Sequence, residues 1–380
     1  PTYLSTNFHF QMATKKHFKL KHPPGEQSQH GKWILKENDQ DLTFEEFQQH
    51  WLPLPETDLD YYFSSYARLG IHEDMLKDEV RTGSYMEAIE SSQALFKGKT
   101  VLDVGSGTGI LCLFAAQAGA RQVIGIERSD VANKATVIAE QNGFGDVITY
   151  IQGKVEEVEL PVDKVDIIIS EWMGYFLMFE SMLDCVLFAR DKWLRPGGHM
   201  FPDHARLFMA GLEDADYKEE KLGVWRHIRG FDFSPVAQLA IQEPLSDIVD
   251  AANMVTDSQC VFQMDLMKVT CSDLDFSAPF TLTVLRQDFV HALVVWFDVR
   301  FDASESGTIL STSPGMPDTH WKQTVLYLAE PLVVFENDVI SGKIFVRKNA
   351  SNPRDLDVKL TYQLEGQRPQ PERTQAFRIR

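Results

Sequence analysis

Two glutamates, Glu171 and Glu180, stand in the segment Ser170 to Leu183, SEWMGYFLMFESML, with aromatic and apolar residues between them. A carboxylate in such surroundings is costly, because a buried charge needs a partner. Two close carboxylates repel and raise each other's pKa unless a cation lies between them. A guanidinium is the natural guest, being planar, permanently charged and equipped with N–H donors in a fixed fork. The same residues also fit two surface glutamates at the ends of a loop and a helix, and this segment alone does not choose.

A second group with chemical potential lies upstream. Thr100 to Val104 is a short β-branched run that reads as a buried strand, and Gly105-Ser106-Gly107-Thr108-Gly109 follows at once. Ile110 to Ala118 then reads as a helix closed by Gly119, and Gln122 to Ile126 as a second strand ending in Glu127. Glycines let a backbone approach a ligand closely, and an acid about 20 residues beyond the turn can bind both hydroxyls of a ribose. The spacing is G-x-G-x-G, not the G-x-G-x-x-G of dinucleotide folds, so it suits a nucleoside with an amino-acid tail better than a pyrophosphate. Asp103 before the turn and Glu127 after it strengthen that reading over a mere tight loop. A third strand near Ile148 to Ile151 leads to Lys154 to Val158, KVEEV, where Glu156 is either an acceptor for an adenine amino group or an exposed acid. Val165 to Ile169 is the fourth strand, and it delivers Glu171 to the same sheet edge.

The elements that must position these groups lie on both sides. Residues 1–55 are polar and irregular, with a short helix expected over Asp41 to Trp51 through Phe44 and Phe47. Tyr61 to Met86 carries aromatic and apolar residues at helical spacing, which predicts a pair of amphipathic helices. Ser84 followed by Glu87 is a capping-box pattern and predicts a new helix start there. On this pattern alone His72, Asp78 and Arg81 face solvent. After Phe201-Pro202-Asp203 the strand–helix rhythm stops. Glu213 to Trp225 reads as a charged, helical excursion. Thr281 to Leu285, Ala292 to Phe301, Gln323 to Leu328 and Asp357 to Leu364 read as strands. In the last of these Val358, Leu360, Tyr362 and Leu364 alternate with Lys359, Thr361 and Gln363, the pattern of a half-buried antiparallel strand. The second part is therefore mostly β, a barrel or a sandwich. Thr319-His320-Trp321 falls in one of its loops, where a lone histidine by itself means little.

At 380 residues the chain is long enough for two domains. The net charge of −18 argues against direct nucleic-acid binding and suits a basic partner or peptide, or plain solubility. The four cysteines, Cys112, Cys185, Cys260 and Cys271, form no C-x-x-C pair, so neither a zinc site nor a disulfide framework is indicated, and a reducing compartment is expected. No apolar run reaches the roughly 18 residues of a membrane helix, and no signal peptide is visible.

Taken together, the motifs resemble those of the type I, asymmetric-dimethylating protein arginine methyltransferases. The resemblance runs from about Tyr61 to the C-terminus. It rests on Tyr62-Phe63 to Tyr66 with IHEDML and Arg81, on VLDVGSGTG, on Glu127 with KVEEV, on SEWMGYFLMFESML, and on THW. It implies an S-adenosylmethionine-binding Rossmann-like domain with N-terminal helices over residues 56–202. A mostly antiparallel β-barrel domain is implied over 203–380, with a helical dimerisation arm at about 213–245, leaving 1–55 as an extension. It implies S-adenosylmethionine as cofactor, S-adenosylhomocysteine as product, and no metal. His72, Arg81, Gly105, Gly107, Glu127, Val155 and Glu156 are the implied cofactor-binding residues, with Arg81 on the cofactor's carboxylate. Glu171, Glu180 and His320 are the implied catalytic residues, with Asp78 behind His320. Tyr66, Met75, Met182 and Trp321 are implied around the substrate, the two methionines matching positions that distinguish asymmetric from symmetric products. Arginine-containing protein substrates, glycine- and arginine-rich segments or histone tails, are the implied partners. A homodimer in cytoplasm or nucleus is implied, with neither nucleic acid nor membrane as partner. Two other readings share the glycine turn: a methyltransferase of RNA or small molecules, and a silent cofactor-binding subunit that activates or scaffolds a paralogue. The first lacks a use for the paired glutamates; the second is expected to lack one of them.

Overall fold

The parallel part of the fold begins with strands that must be buried on both faces. β1 (Thr100–Val104) is buried at every position, as a central strand covered by helices requires. The computed structural model, which describes residues 69–380, places it in a five-stranded sheet with β2 (Gln122–Glu127), β3 (Ile148–Gln152), β4 (Val165–Ile169) and β5 (Leu194–Phe201). The order is β3-β2-β1-β4-β5, and all four pairings are parallel. The chain order reverses between β1 and β4, and such a switch point opens a crevice at the carboxyl ends of the strands. The glycine turn, Glu127, the 154–158 loop and Glu171 all follow those ends.

Helices α1 (Leu69–Lys77) and α2 (Glu79–Glu90) precede the sheet. Helix α2 runs unbroken through Ser84, so the expected start at Ser84–Glu87 is not present. Its cap is Asp78, whose side chain accepts the Arg81 N–H. With that donor already satisfied, nothing at Ser84 calls for a second cap. The helix expected over Asp41 to Trp51, the extension over 1–55 and Tyr61 to Tyr66 lie outside the described residues.

From β6 (His204–Leu212) onward the strands pair antiparallel. The charged excursion folds as α3 (Ala215–Lys221), a short hairpin of His227–Ile228 with Phe231–Asp232, and α4 (Ser234–Ala240). A six-stranded sheet holds Met254–Asp265, β6, Asp288–Arg300, Gln323–Val334 and Leu245–Asp247 in that order, with Ile309–Ser311 added to Asp288–Arg300. A four-stranded sheet runs Phe276–Thr283, Val339–Lys348, Leu356–Glu365, Gln370–Ile379. The two sheets join at both seams. Thr256 bridges Val284 on one side. On the other, the Gln375 side chain accepts the Ala329 N–H at 2.9 Å and donates to the Tyr327 carbonyl at 2.8 Å. The result is a barrel-like unit.

Its core is continuous with that of the parallel sheet. Phe201 carries the junction: its ring lies 5.1 Å from Phe96 and 6.1 Å from Phe301, and Phe301 meets Tyr85 edge-on at 4.9 Å. A separate apolar cluster on the outer barrel face, including Val294 and Trp296, is covered by Leu222 and Ile241 of the excursion. Among the described residues no helix is long and apolar enough to cross a membrane.

The helix Met182–Trp193, which follows the paired-glutamate segment, is tied to the barrel at both ends. Lys348 pairs with Asp184 in its first turn. Near its end the buried Arg190 donates to the carbonyls of Leu266 at 2.6 Å and Val269 at 2.7 Å. Arg190→Ala leaves both carbonyls unpaired, and the expected loss in urea-unfolding free energy is about 2–4 kcal/mol. A loss under about 1 kcal/mol would mean that water substitutes for the guanidinium.

Candidate active site

A cavity of about 1340 Å³ opens at the carboxyl ends of the parallel strands. Its wall includes Met75, Asp78 and Arg81 from the N-terminal helices, the glycine turn, Glu127, Glu156, the paired-glutamate segment, and the 317–322 loop and Arg354 from the barrel.

The glycine turn needs its glycines. Gly105, Gly107 and Gly109 have φ of 75°, 53° and 91°, a region that side chains disfavour. A Cβ on Gly105 would lie 2.2 Å from the Met182 methyl, and one on Gly107 would touch the His72 ring at 3.4 Å. Glu127 is oriented by backbone: Gly107 N–H donates to Oε2 at 3.0 Å and Ser129 N–H to Oε1 at 2.7 Å. Each oxygen keeps a lone pair for further donors, which is the pair of acceptors that two ribose hydroxyls require. These features fit a nucleoside cofactor.

His72, Asp78 and Arg81 do not face solvent. They are 5%, 8% and 7% exposed, a correction to the periodicity reading. The helical pattern marks which face is apolar, and here the polar residues of α1 and α2 are buried because they line the cavity and pair there. Arg81 Nε donates to Glu171 Oε2 at 2.8 Å, and its Nη1 donates to the Met75 carbonyl at 3.2 Å. Asp78 holds two elements at once. Its Oδ1 caps α2, while its Oδ2 meets His320 Nδ1 at 2.7 Å and accepts the His320 backbone N–H at 2.9 Å. Burial raises the Asp78 pKa, but hydrogen bonds from His320 and Arg81 outweigh it and hold the carboxyl below its usual value.

The paired-glutamate segment is a tightly wound loop. Phe176, Leu177, Glu180 and Ser181 all have φ between 54° and 74°, at about 1–2 kcal/mol each for residues with a side chain. Burial of Trp172, Phe176, Leu177 and Met178 offsets this. Polar contacts fix the path: Tyr85 Oη donates to the Ser170 carbonyl at 2.8 Å, and Trp321 Nε1 to the Met173 carbonyl at 2.9 Å. Gly174 has no alternative, since a Cβ there would sit 2.1 Å from the Phe179 carbonyl. Glu180 N–H donates to the Arg354 carbonyl at 2.9 Å.

Thus Glu171, Glu180, His320, Arg81, Gly105, Gly107, Glu127, Glu156, Val155, His72, Met75, Met182 and Trp321 all border one cavity. Val155 is buried and Glu156 exposed at its rim. Trp321 is buried with its indole N–H already given to Met173. Tyr66 lies outside the described residues. Sequence reading missed Arg354, which lines the cavity from the turn after Val339–Lys348. Nothing in its spacing marks it, because its partner is distant in sequence.

The chain is similar to known proteins over most of its length. A family model described as a methyltransferase domain matches residues 95–243, and one described as the arginine methyltransferase oligomerization subdomain matches 203–367. Protein arginine N-methyltransferase 1 of Chlamydomonas reinhardtii is 52% identical over 324 residues, 85% of this chain and 94% of that protein. The Dictyostelium discoideum protein of the same name is 49% identical over 308 residues, covering 81% and 90%. Among solved structures, a Trypanosoma brucei PRMT1 enzyme–prozyme heterotetrameric complex with AdoHcy is 47% identical, with TM-score 0.81, and covers 83% of this chain and all (100%) of that one.

Asp103, at the foot of the glycine turn, is fully buried. Burial pushes its carboxyl from the usual 3.8 up to about 7, against the bond from the Cys112 thiol. A raised pKa favours the protonated folded state. Its contribution to stability is therefore complete below the unfolded value and lost as pH rises through about 7. Asp103→Asn lacks this titration. The wild type is expected to lose stability relative to that variant between about pH 4 and 7, measured by urea unfolding. A pH-independent difference would show that Asp103 is ionised throughout.

Proposed function

The chain belongs to the type I protein arginine N-methyltransferase family, and we propose that this cavity is where it methylates arginine, with Glu171 and Glu180 as the clamp on the substrate guanidinium. Its activity is transfer of methyl groups from S-adenosylmethionine to guanidino nitrogens of arginine in proteins, giving monomethyl- and asymmetric dimethylarginine. One observation carries the residue assignment: both glutamates border the same cavity as the glycine turn and the backbone-oriented Glu127.

Glu127 would hold the ribose hydroxyls, Val155 and Glu156 the adenine, and His72 with Arg81 the methionine end, beside Gly105 and Gly107. The bound cofactor supplies a methyl already activated by a positive sulfur. What remains for the chain is the nucleophile. A free guanidinium has a pKa above 12 and spreads its lone pairs over its π system. Bidentate carboxylates localise its charge and aim one terminal nitrogen. Holding it near 3–3.5 Å and in line contributes up to several kcal/mol.

Glu171 has two duties in this reading. Its Oε2 accepts from Arg81 Nε, and Oε1 with the second lone pair of Oε2 remains for substrate. The methylated nitrogen becomes far more acidic as its new bond forms, so a late acceptor suffices. Glu180 is the first acceptor. His320 is the second: Asp78 occupies its Nδ1, which turns Nε2 to the proton. Met75 and Met182 would set the space beside the reacting nitrogen.

The physiological setting is part of the proposal. Glycine- and arginine-rich segments or histone tails suit the acidic chain. The unpaired cysteines suit cytoplasm or nucleus. A homodimer through the 213–245 arm is supported by apolar residues it presents outward, Val224 at 51% and Phe231 at 70% exposed. The Trypanosoma brucei relative is an enzyme–prozyme heterotetramer.

A glycine- and arginine-rich peptide incubated with S-adenosylmethionine is expected to yield asymmetric dimethylarginine by mass spectrometry. Glu180→Gln should lower kcat by about 100-fold or more while the cofactor Kd stays within a few-fold. Glu171→Gln should lower kcat similarly and also weaken cofactor binding, because Arg81 loses its ionic partner. Wild-type turnover by either variant would exclude that glutamate from the clamp. Phe231→Asp is expected to give a monomer in sedimentation with most activity lost. A fully active monomer would sever assembly from catalysis.

A further inference from the structure

The two glutamates of the clamp are held from opposite sides, Glu171 by its carboxylate and Glu180 by its backbone. Glu171 is held by Arg81 of α2, a short reach within the cofactor-side elements. Glu180 is held by the barrel. Its backbone N–H donates to the Arg354 carbonyl at 2.9 Å, and Arg354 Nη1 donates back to the Glu180 carbonyl at 2.6 Å. Ser181 Oγ, next along, donates to the Pro353 carbonyl. Both peptide groups flanking the Glu180 Cα are thus pinned, at a residue whose φ of 74° side chains disfavour. The direction of a Cα–Cβ bond follows from the peptide planes on either side. Whatever fixes those planes fixes where the Glu180 carboxylate is launched.

Arg354 is itself placed by a buried polar network. Asn349 Oδ1 accepts the N–H groups of Ser351 and Asn352, each at 2.9 Å, and Asn352 Oδ1 accepts the Arg354 N–H at 3.3 Å. Asn349 Nδ2 donates to both oxygens of Asp357 at 3.1 and 3.0 Å. Asp357, which has no exposure, accepts from Arg378 Nε at 2.8 Å. The 349–355 turn is therefore a hydrogen-bonded bracket on the barrel's last strands, and it brings Arg354 to the cavity wall.

We propose that Arg354 is a positioning residue for methyl transfer: it holds Glu180 in the conformation that presents its carboxylate to the substrate guanidinium. The proposal rests on the assignment of Glu180 to the substrate clamp. Arg354 needs no contact with substrate, and a second guanidinium against the first would be repelled.

The test uses the full chain with S-adenosylmethionine and a glycine- and arginine-rich peptide. Arg354→Met keeps an unbranched stem and removes the donor. It should lower kcat about 10- to 100-fold with the cofactor Kd and the melting temperature close to wild type. Arg354→Lys keeps one donor for the Glu180 carbonyl and should fall between the two. Peptide affinity in the presence of S-adenosylhomocysteine reads the same coupling without turnover. Arg354→Met should weaken it in the wild-type background and change it little in a Glu180→Gln background. Turnover by Arg354→Met within about twofold of wild type, while Glu180→Gln is inactive, would overturn the proposal and leave the clamp standing. Additive losses of peptide affinity, or an Arg354→Lys variant as slow as Arg354→Met at an unchanged melting temperature, would overturn it too. Full turnover by Glu180→Gln would remove the clamp assignment itself, and the proposal with it.

Discussion

The Arg81–Glu171 ion pair is the constraint around which the cavity is organised. Both side chains are about nine-tenths buried. A charge so placed is tolerated only when it is paired and its remaining donors are used. Arg81 is paired with Glu171 through Nε and bonded to the Met75 carbonyl through Nη1. The pair therefore sets the distance between α2 and the loop after β4. Buried ion pairs of this kind contribute more to a specific geometry than to net stability, and geometry is what aiming a weak nucleophile demands.

The same logic recurs along the wall. Asp78 joins the start of α2 to His320 on the barrel. Glu127 is oriented by two backbone donors. Tyr85 and Trp321 spend their polar hydrogens on carbonyls of the paired-glutamate segment. That segment has few regular hydrogen bonds of its own and several residues in the left-handed region. It keeps its shape because helix, sheet and barrel each grip it. Cofactor-side and barrel-side elements thus form one site over one continuous core.

The elements most legible in the sequence were those whose pattern is local. The first four parallel strands and the helix after the glycine turn lie within a residue or two of their expected bounds, because largely buried strands such as β1 and β4 read as short apolar runs. The alternation in Leu356–Glu365 also holds, with Val358, Leu360, Tyr362 and Leu364 all buried. Several barrel strands were not legible. Met254–Asp265 shifts register twice against β6, which breaks its alternation. In β6 four consecutive residues, 209–212, are buried, since barrel core covers one face and the arm the other. Gln370–Ile379 begins with polar residues, and its buried positions come only toward its end.

What the sequence by itself determined is the inventory of the site: a glycine turn after the first strand, an acid after the second strand, two glutamates around an apolar loop, and a THW loop far downstream. Residue types and spacing carry that information because they reflect covalent reach and backbone strain. What only the tertiary structure decided is which charges meet. Periodicity turned His72, Asp78 and Arg81 to solvent, yet each is buried at the cavity. Glu171 and Arg81 lie 90 residues apart and carried separate implied roles, yet they form one ion pair. Arg354 carried no signal at all, although it reaches Glu180 across the domain boundary. Pairing of buried charges depends on distance in space between residues far apart in the chain, and no local pattern encodes that distance.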